Sequence, residues 1–457
     1  MIPSPARSRF SPRGLPLALA ALTLAAPLLS PGPVRAQLRT LQEALERAVE
    51  VHPSLARARA AADAAASGVD GARGALFPTL AVRGSGIRFQ EPMLVAPLHR
   101  FDPTAVPDFD ETLLQGTLGM DWTLFDGGRR GAGVDAARAR ASVTDEGVRE
   151  AEAVVLQRTA EAYLSVLTAR ERVAAQDRHQ AALEAERDRS ARLVTEGAAP
   201  ELELLRAEAE LASARAEREA GRQALRLALD PLARLLDLPA DQVEAGALTP
   251  PPLPGEPPPP TPSTDTLLAG APTVAAARGQ MAAAEAELAV ARSAWLPTLS
   301  AAGGYNLFAG GGVSPVAEWQ GGLQLSYPLL TGGSRGSAVD ASRASLRQAR
   351  ARVEEVAEEA ALAADAARAA EVEARARVEA LEAAVSRFAE LARVERLALE
   401  EGVGMQSDWL RAEAGLLQAR AGLAEARHRV VSARIAWARA TGRLDLRGIT
   451  ELLEVAP

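Results

Sequence analysis

Hydrophobic spacing along the chain changes twice, in the same order each time. Stretches rich in Ala, Leu and Arg run with helical spacing to Pro78 and again to Pro297. A two-residue alternation follows. Leu114, Gly116, Leu118, Met120, Trp122 and Leu124 share one face, against Gln115, Thr117, Gly119, Asp121 and Thr123 on the other. The second copy sets Trp319, Gly321, Leu323, Leu325, Tyr327 and Leu329 against Gln320, Gly322, Gln324, Ser326 and Pro328. The segments just before these, with Leu80 and Val82, then Leu299, Ala301, Tyr305 and Leu307, alternate less cleanly. The reading is four strands of about ten residues each, the length of a membrane β-strand. Helical spacing then resumes from Gly131 to Thr195 and from Ser337 to Glu401. About 65 residues at 1.5 Å each make a rod of about 100 Å. A turn and a further helix complete each copy.

The first rod carries two apolar heptad rows, Val148–Val155–Ala162–Ala169 and Ala153–Ala160–Leu167–Ala174–Ala181. Neighbouring members lie two residues apart, about 200° around the helix. Two seams on nearly opposite sides suit a helix in a wall, where a dimeric coiled coil needs one seam.

The order of periods is matched by words of sequence. Ala75-Leu76-Phe77-Pro78-Thr79-Leu80 returns as Ala294-Trp295-Leu296-Pro297-Thr298-Leu299. Leu124-Phe125-Asp126-Gly127-Gly128 returns as Leu329-Leu330-Thr331-Gly332-Gly333, and Leu205-Arg206-Ala207-Glu208-Ala209 returns unchanged from Leu410 to Ala414. Three ordered matches indicate an internal duplication. The organisation read from this is a first repeat over 37–248, a Pro-rich extended linker over 249–263, a second repeat over 264–446 and a tail over 447–457. Residues 1–36 read as a secretory signal peptide. Arg7, Arg9 and Arg13 precede an apolar run from Leu15 to Leu29, and Val34-Arg35-Ala36 ends a small-residue cleavage pattern.

Composition narrows the function. The 457 residues contain no Cys, which excludes disulfides, thiolate metal sites, a Cys nucleophile and a lipid on an N-terminal Cys. Four scattered His leave little for a metal cluster, and a net charge of −8 disfavours nucleic acid as a partner. All 51 basic residues are Arg, a usage with no structural reading. Phosphate-loop and zinc-protease motifs are absent. Acid pairs such as Glu354-Glu355 and Glu358-Glu359 lie in highly charged helices and read as solvated faces. The expectation is a protein that is not an enzyme and uses no cofactor or metal.

Most aromatics outside the helices cluster at the strands, including Phe77, Phe89, Trp122, Phe125, Tyr305, Phe308, Trp319 and Tyr327. Aromatic girdles at two membrane interfaces explain such a bias. Four strands cannot close a membrane barrel, and an open edge in lipid is forbidden. Strands in a membrane therefore require several copies to share one barrel. Three copies give twelve strands; counting alone leaves two or four open. The alternative from another class is an exported structural coiled-coil protein, such as a periplasmic adaptor.

The whole mature chain, from about Leu38 to Leu446, resembles the TolC-like outer membrane efflux proteins. The resemblance rests on the duplication, on Leu41-Gln42-Glu43-Ala44-Leu45 with His52-Pro53, on Leu76-Phe77-Pro78-Thr79, and on Trp122 to Gly128 with its partner Tyr327 to Gly333. It implies a mainly α fold with a small β part: a long α-helical barrel on a shared trimeric transmembrane β-barrel, four strands per subunit. It implies a homotrimer in outer membrane lipid with its helices in the periplasm. It also implies a periplasmic adaptor and an inner membrane pump of RND, ABC or MFS type as partners, and passive conduction of drugs, metal ions or proteins. Its helical tips, which gate the tunnel and meet the adaptor, correspond to Thr195–Pro200, with Gly197 and Pro200, and to Glu401–Gln406, with Gly402, Val403 and Gly404. The two acidic positions of the family's aperture correspond to Asp408 and to Arg411, so a doubled acidic ring is broken here. Trp122, Phe125, Tyr305, Trp319 and Tyr327 are the expected lipid-face girdle, and Gly127, Gly128, Gly332 and Gly333 the strand-to-helix turns. Asp121 and Asp126 border the expected lumen, with a turn role favoured for Asp126. Arg88–Thr112 and Ala309–Glu318 are expected to be the loops outside the cell.

Overall fold

The computed structural model describes residues 39–99, 104, 106–258 and 269–453. The signal segment, part of the linker and the end of the tail lie outside the described residues.

Thr40 opens α1 (Leu41–Val51) with a reciprocal capping box to Glu43. His52 caps α2 (Pro53–Gly74) through its ring, with Pro53 in the first turn. The chain then enters β1 (Thr79–Leu94) and β2 (Phe109–Phe125). Gly128, at φ 84°, starts α3 (Arg129–Thr195), a helix of 67 residues. The hairpin continues in α4 (Glu201–Leu236), followed by the short α5 (Ala240–Ala245). The second half repeats the order with α6 (Pro272–Ser293), β3 (Thr298–Gly310), β4 (Val316–Ser326), α7 (Ser334–Glu400), again 67 residues, and α8 (Gln406–Ala440). A last helix, α9, covers Leu446–Leu453.

The rods are held in hairpins, α3 with α4 and α7 with α8, and α3 also packs against α2, α6 and α8. Among the described residues the apolar core is divided into separate clusters. The largest apolar cluster girdles the rods partway along. It gathers Leu45 of α1, Leu156 and Tyr163 of α3, Leu232 of α4, Val243 of α5, Ile435 of α8 and Ile449 of α9. Smaller clusters follow the hairpins toward their ends, such as Leu183 with Leu211, and Ala392 with Leu416. The heptad rows drift along α3. Ala153, Ala160 and Leu167 are buried, but Ala174 and Ala181 are exposed while Ala175 and Leu183 take their place. A straight helix of 3.6 residues per turn slips about 20° per heptad, so a strict seven-residue row cannot stay on one seam.

The four strands form one antiparallel meander in the order β1-β2-β3-β4. The first hairpin is longer than its alternation suggested. Strand structure covers Arg88–Leu94 and Phe109–Thr112, which the sequence assigned to a loop. The Arg88–Glu111 ion pair at 3.0 Å and the bond from Val95 N to the Asp108 carbonyl hold the extension together. Pro92, which lacks an N–H, is tolerated because no residue between Arg88 and Met93 has a register partner. In the second hairpin the loop shrinks to residues 311–315. β4 stops at Ser326, so Tyr327 and Leu329 lie beyond the strand. Pro328 cannot donate to a ladder there.

Candidate functional site

The register lines up one apolar face across all four strands. Val82 pairs with Leu118, Leu118 with Tyr305, and Tyr305 with Trp319. The next rows toward the helices join Leu80, Met120, Gly303 and Gly321, and then Trp122, Ala301 and Leu323. Leu80, Val82, Leu118, Tyr305, Trp319 and Leu323 are all exposed. Phe125 is out of phase with Trp122 in the sequence. A bulge between Thr123 and Phe125 moves it onto the row of Leu299 and Leu325. The opposite face carries a polar row, Arg83–Thr117–Asn306–Glu318, in which Thr117 Oγ1 donates to Asn306 Oδ1 at 2.9 Å. Asp121 lies on this face, paired with Thr79. Among the described residues neither outer edge, along β1 or β4, has a pairing strand.

The strand-to-helix junctions are fixed by buried polar groups. Asp126 is buried and receives Arg130 Nε at 2.8 Å and the Arg130 backbone N–H at 3.2 Å. Burial alone would raise the Asp126 carboxyl. The hydrogen bonds and charge of Arg130 outweigh it and hold the group below the ordinary range. Arg130 also donates to the Ala75 carbonyl at the end of α2, and Trp122 Nε1 donates to that of Leu76. Arg335, at the matching place in the second half, stacks on Trp295 at 5.5 Å and Tyr327 at 5.6 Å and donates to the Pro328 carbonyl. Gly127, Gly128, Gly332 and Gly333 all have positive φ, between 58° and 84°, which explains glycine at each turn.

At the far ends of the rods, Gly197 (φ 71°) and Gly402 (φ 76°) reverse the chain. Ala198 N donates to the Leu193 carbonyl at 2.8 Å, and Val403 N to that of Ala398 at 3.0 Å, which closes each helix end. Pro200 flanks α4, and Gly404 has no room for a Cβ, which would lie 2.8 Å from that of Ala398. Val403 and Met405 are exposed. Asp408 lies in the first turn of α8, and its carboxylate pairs with Arg411 at 3.2 Å.

Two polar clusters escaped the sequence reading. Near the tips, Gln406 Nε2 donates to Glu186 Oε1 at 2.9 Å, and Arg189 reaches the Leu399 carbonyl at 2.6 Å, which joins the two hairpins. Burial raises the Glu186 carboxyl above its ordinary value. Midway along the rods, Glu371 is fully buried between Arg375 and Arg434, and both arginines also hold carbonyls of the Pro-rich segment at Gly255. Arg368 adds a bond to the Pro258 carbonyl at 3.3 Å. In the first half, Arg170 similarly holds the carbonyls of Val243, Glu244 and Gly246, and Tyr163 Oη sits 2.8 Å from that of Thr249. The described part of the linker, to Pro258, and the segment just before it are thus laid across the rods on a row of side-chain donors. Glu and Arg recur along both rods, so nothing in the sequence marked these members as buried.

Among the described residues no helix is long and apolar enough to cross a membrane, and no group of three or more His, Asp or Glu is placed to hold a metal ion. The fold resembles that of VceC from Vibrio cholerae, an outer membrane protein, at TM-score 0.74 and 19% identity, over 88% of this chain and 96% of that one. It is also similar to the CmeC outer membrane channel of Campylobacter jejuni, at TM-score 0.74 and 17% identity, over 91% and 89%. The open-state MtrE outer membrane channel of Neisseria gonorrhoeae matches at TM-score 0.72 and 21% identity, over 88% of each chain. No curated protein matches the chain. The model of the family described as outer membrane efflux protein matches residues 40–237 and 264–443, most of the length. The chain belongs to the outer membrane efflux protein family.

Proposed function

We propose that this protein is the outer membrane duct of an efflux or secretion assembly. Three copies share one twelve-stranded barrel, and their rods form a tunnel through the periplasm. The observation that carries the reading is the sheet. It exposes a continuous apolar face, offers a polar opposite face and leaves both edges unpaired. In lipid every unpaired backbone group costs several kcal/mol, so the edges must be closed by further copies. The apolar face, with the girdle of Trp122, Phe125, Tyr305, Trp319 and Tyr327, meets lipid. The row Arg83–Thr117–Asn306–Glu318 meets water in the lumen. Strands β1 and β2, of 16 and 17 residues, exceed the 9–11 needed to span a bilayer, so the first hairpin projects beyond the outer surface.

The tips around Gly197, Pro200, Gly402, Val403 and Gly404 face the periplasmic adaptor, with the exposed Val403 and Met405 as apolar contacts. An inner membrane pump behind the adaptor selects the cargo and drives transport; the duct conducts passively, without a cofactor. Three Asp408 carboxylates ring the aperture, and Arg411 pairs with each, so the ring attracts cations only weakly. Fractionation tests the reading. A heat-modifiable oligomer extracted by detergent from the outer membrane is expected. A soluble periplasmic monomer refutes it.

A further inference from the structure

Where the first strand-to-helix turn meets the second repeat, the chain makes a contact that has no counterpart among the described residues. Gly127 lies against the end of α6, where a Cβ would sit 2.8 Å from Leu296 Cβ and 3.0 Å from the Ser293 carbonyl. Its counterpart Gly332, with the same turn and positive φ, has nothing within 4 Å of that position. The residues beside it follow suit. Leu124 and Phe125 are 40% and 47% exposed, whereas Leu329 and Leu330 are 88% and 91% exposed. The repeat counterpart of Leu296 is Phe77, at the far edge of the array and 68% exposed.

The helices show the same imbalance. α2 and α6 are both 22 residues long. α6 packs against both α3 and α7 and buries eight residues; α2 packs against α3 and buries only Leu55 and Val69. The order α2, α3, α6, α7 therefore ends in one helix and one rod that each lack the neighbour their counterpart has. The sheet ends in step, with free edges on β1 and β4.

We infer that Gly332 of one copy is the socket for Phe77 of the next, with α2 of that copy seated on α7 as α6 is seated on α3. This rests on the shared-barrel reading above and names its closing contact. The occupant is a second copy because only that surface presents the Leu76-Phe77-Pro78 counterpart of Trp295-Leu296-Pro297 beside a free strand edge. The interface is heterologous, so it propagates head to tail until the ring closes.

The absence of native Cys gives a clean test in the full chain extracted in detergent. Phe77→Cys combined with Gly332→Cys is oxidised and run under denaturing conditions. Covalent ladders between chains, ending at a closed ring, are expected, with each single variant uncrosslinked. Dimers from Gly332→Cys alone mean a two-fold interface and overturn the inference. An intact oligomer without crosslinks in the double variant overturns the contact but leaves the duct reading standing. A monomer in the unaltered protein overturns both. Gly332→Ala against Gly333→Ala gives a second reading. Both incur the positive-φ strain, at φ 58° and 81°, but only position 332 faces the neighbour. Oligomer dissociation at a lower temperature for Gly332→Ala is expected; equal dissociation refutes the socket.

Discussion

Glu371 is the most demanding buried charge among the described residues. It is fully buried on α7, and its two oxygens receive Arg434 Nη2 and Nε, both at 2.8 Å, with Arg375 Nη2 at 2.7 Å. The positions that match Glu371 and Arg434 in the first repeat are Val166 and Leu229, both buried in the girdle core. Glu371→Val alone strands the Arg434 guanidinium, itself buried, and is expected to cost about 3–5 kcal/mol. Glu371→Val with Arg434→Leu copies the first repeat and removes both charges. It is expected to be neutral or stabilising, because a well-packed apolar pair avoids the desolvation penalty. At about 2.1 cal/mol/K of unfolding entropy per residue, 1 kcal/mol moves Tm by about 1 °C in a chain of this length. The single variant should therefore melt about 3–5 °C lower by circular dichroism in detergent, and the double variant should recover that loss. A single variant that melts with the unaltered protein, or a double variant as damaged as the single, refutes the reasoning.

Three further expectations follow from other sites. His428, beside Thr168 and Arg427, has its pKa lowered by burial to about 4, from 6.5 when unfolded. The unfolded chain therefore binds the extra proton between these values, so the His428 contribution is undiminished above 6.5 and falls as pH drops toward 4. The total loss is about 3 kcal/mol, and the pH dependence of Tm should flatten in His428→Gln. Asp126→Ala breaks the buried pair with Arg130 and should cost roughly 1–3 kcal/mol, read as a lower Tm. At the aperture, Arg411→Ala should strengthen cation preference in single-channel recordings and Asp408→Ala should abolish it; unchanged selectivity in both removes Asp408 from the constriction.

The parts of the fold that follow simple periods were legible. Rods bounded by Gly-Gly and by Gly tips, and strands with clean alternation, lie where the spacing put them to within a few residues, because those signals are local. The extension of the first hairpin was hidden because prolines such as Pro92 mark Arg88–Thr112 as a loop, although Met93 and Leu94 pair across the strands with Asp110 and Phe109 beyond an unpaired stretch. Phe125 changes rows through a bulge that alternation cannot show. The Glu371 and Glu186 clusters were illegible for a different reason. On a charged rod, burial is decided by the helix packed alongside, and the carboxylates there look like their solvated neighbours. The exposure of Leu329, Leu330 and Phe77 became informative only when the two repeats were set side by side in space.

The central claim is that the sheet is a barrel wall with lipid on one side and water on the other. Single cysteines placed along β2, in a chain with none of its own, read this out in intact outer membranes. A water-soluble maleimide should label positions 115, 117, 119 and 121 and spare 114, 116, 118 and 120, which should react only with a lipid-soluble reagent. Uniform labelling by the water-soluble reagent at all eight positions contradicts the account.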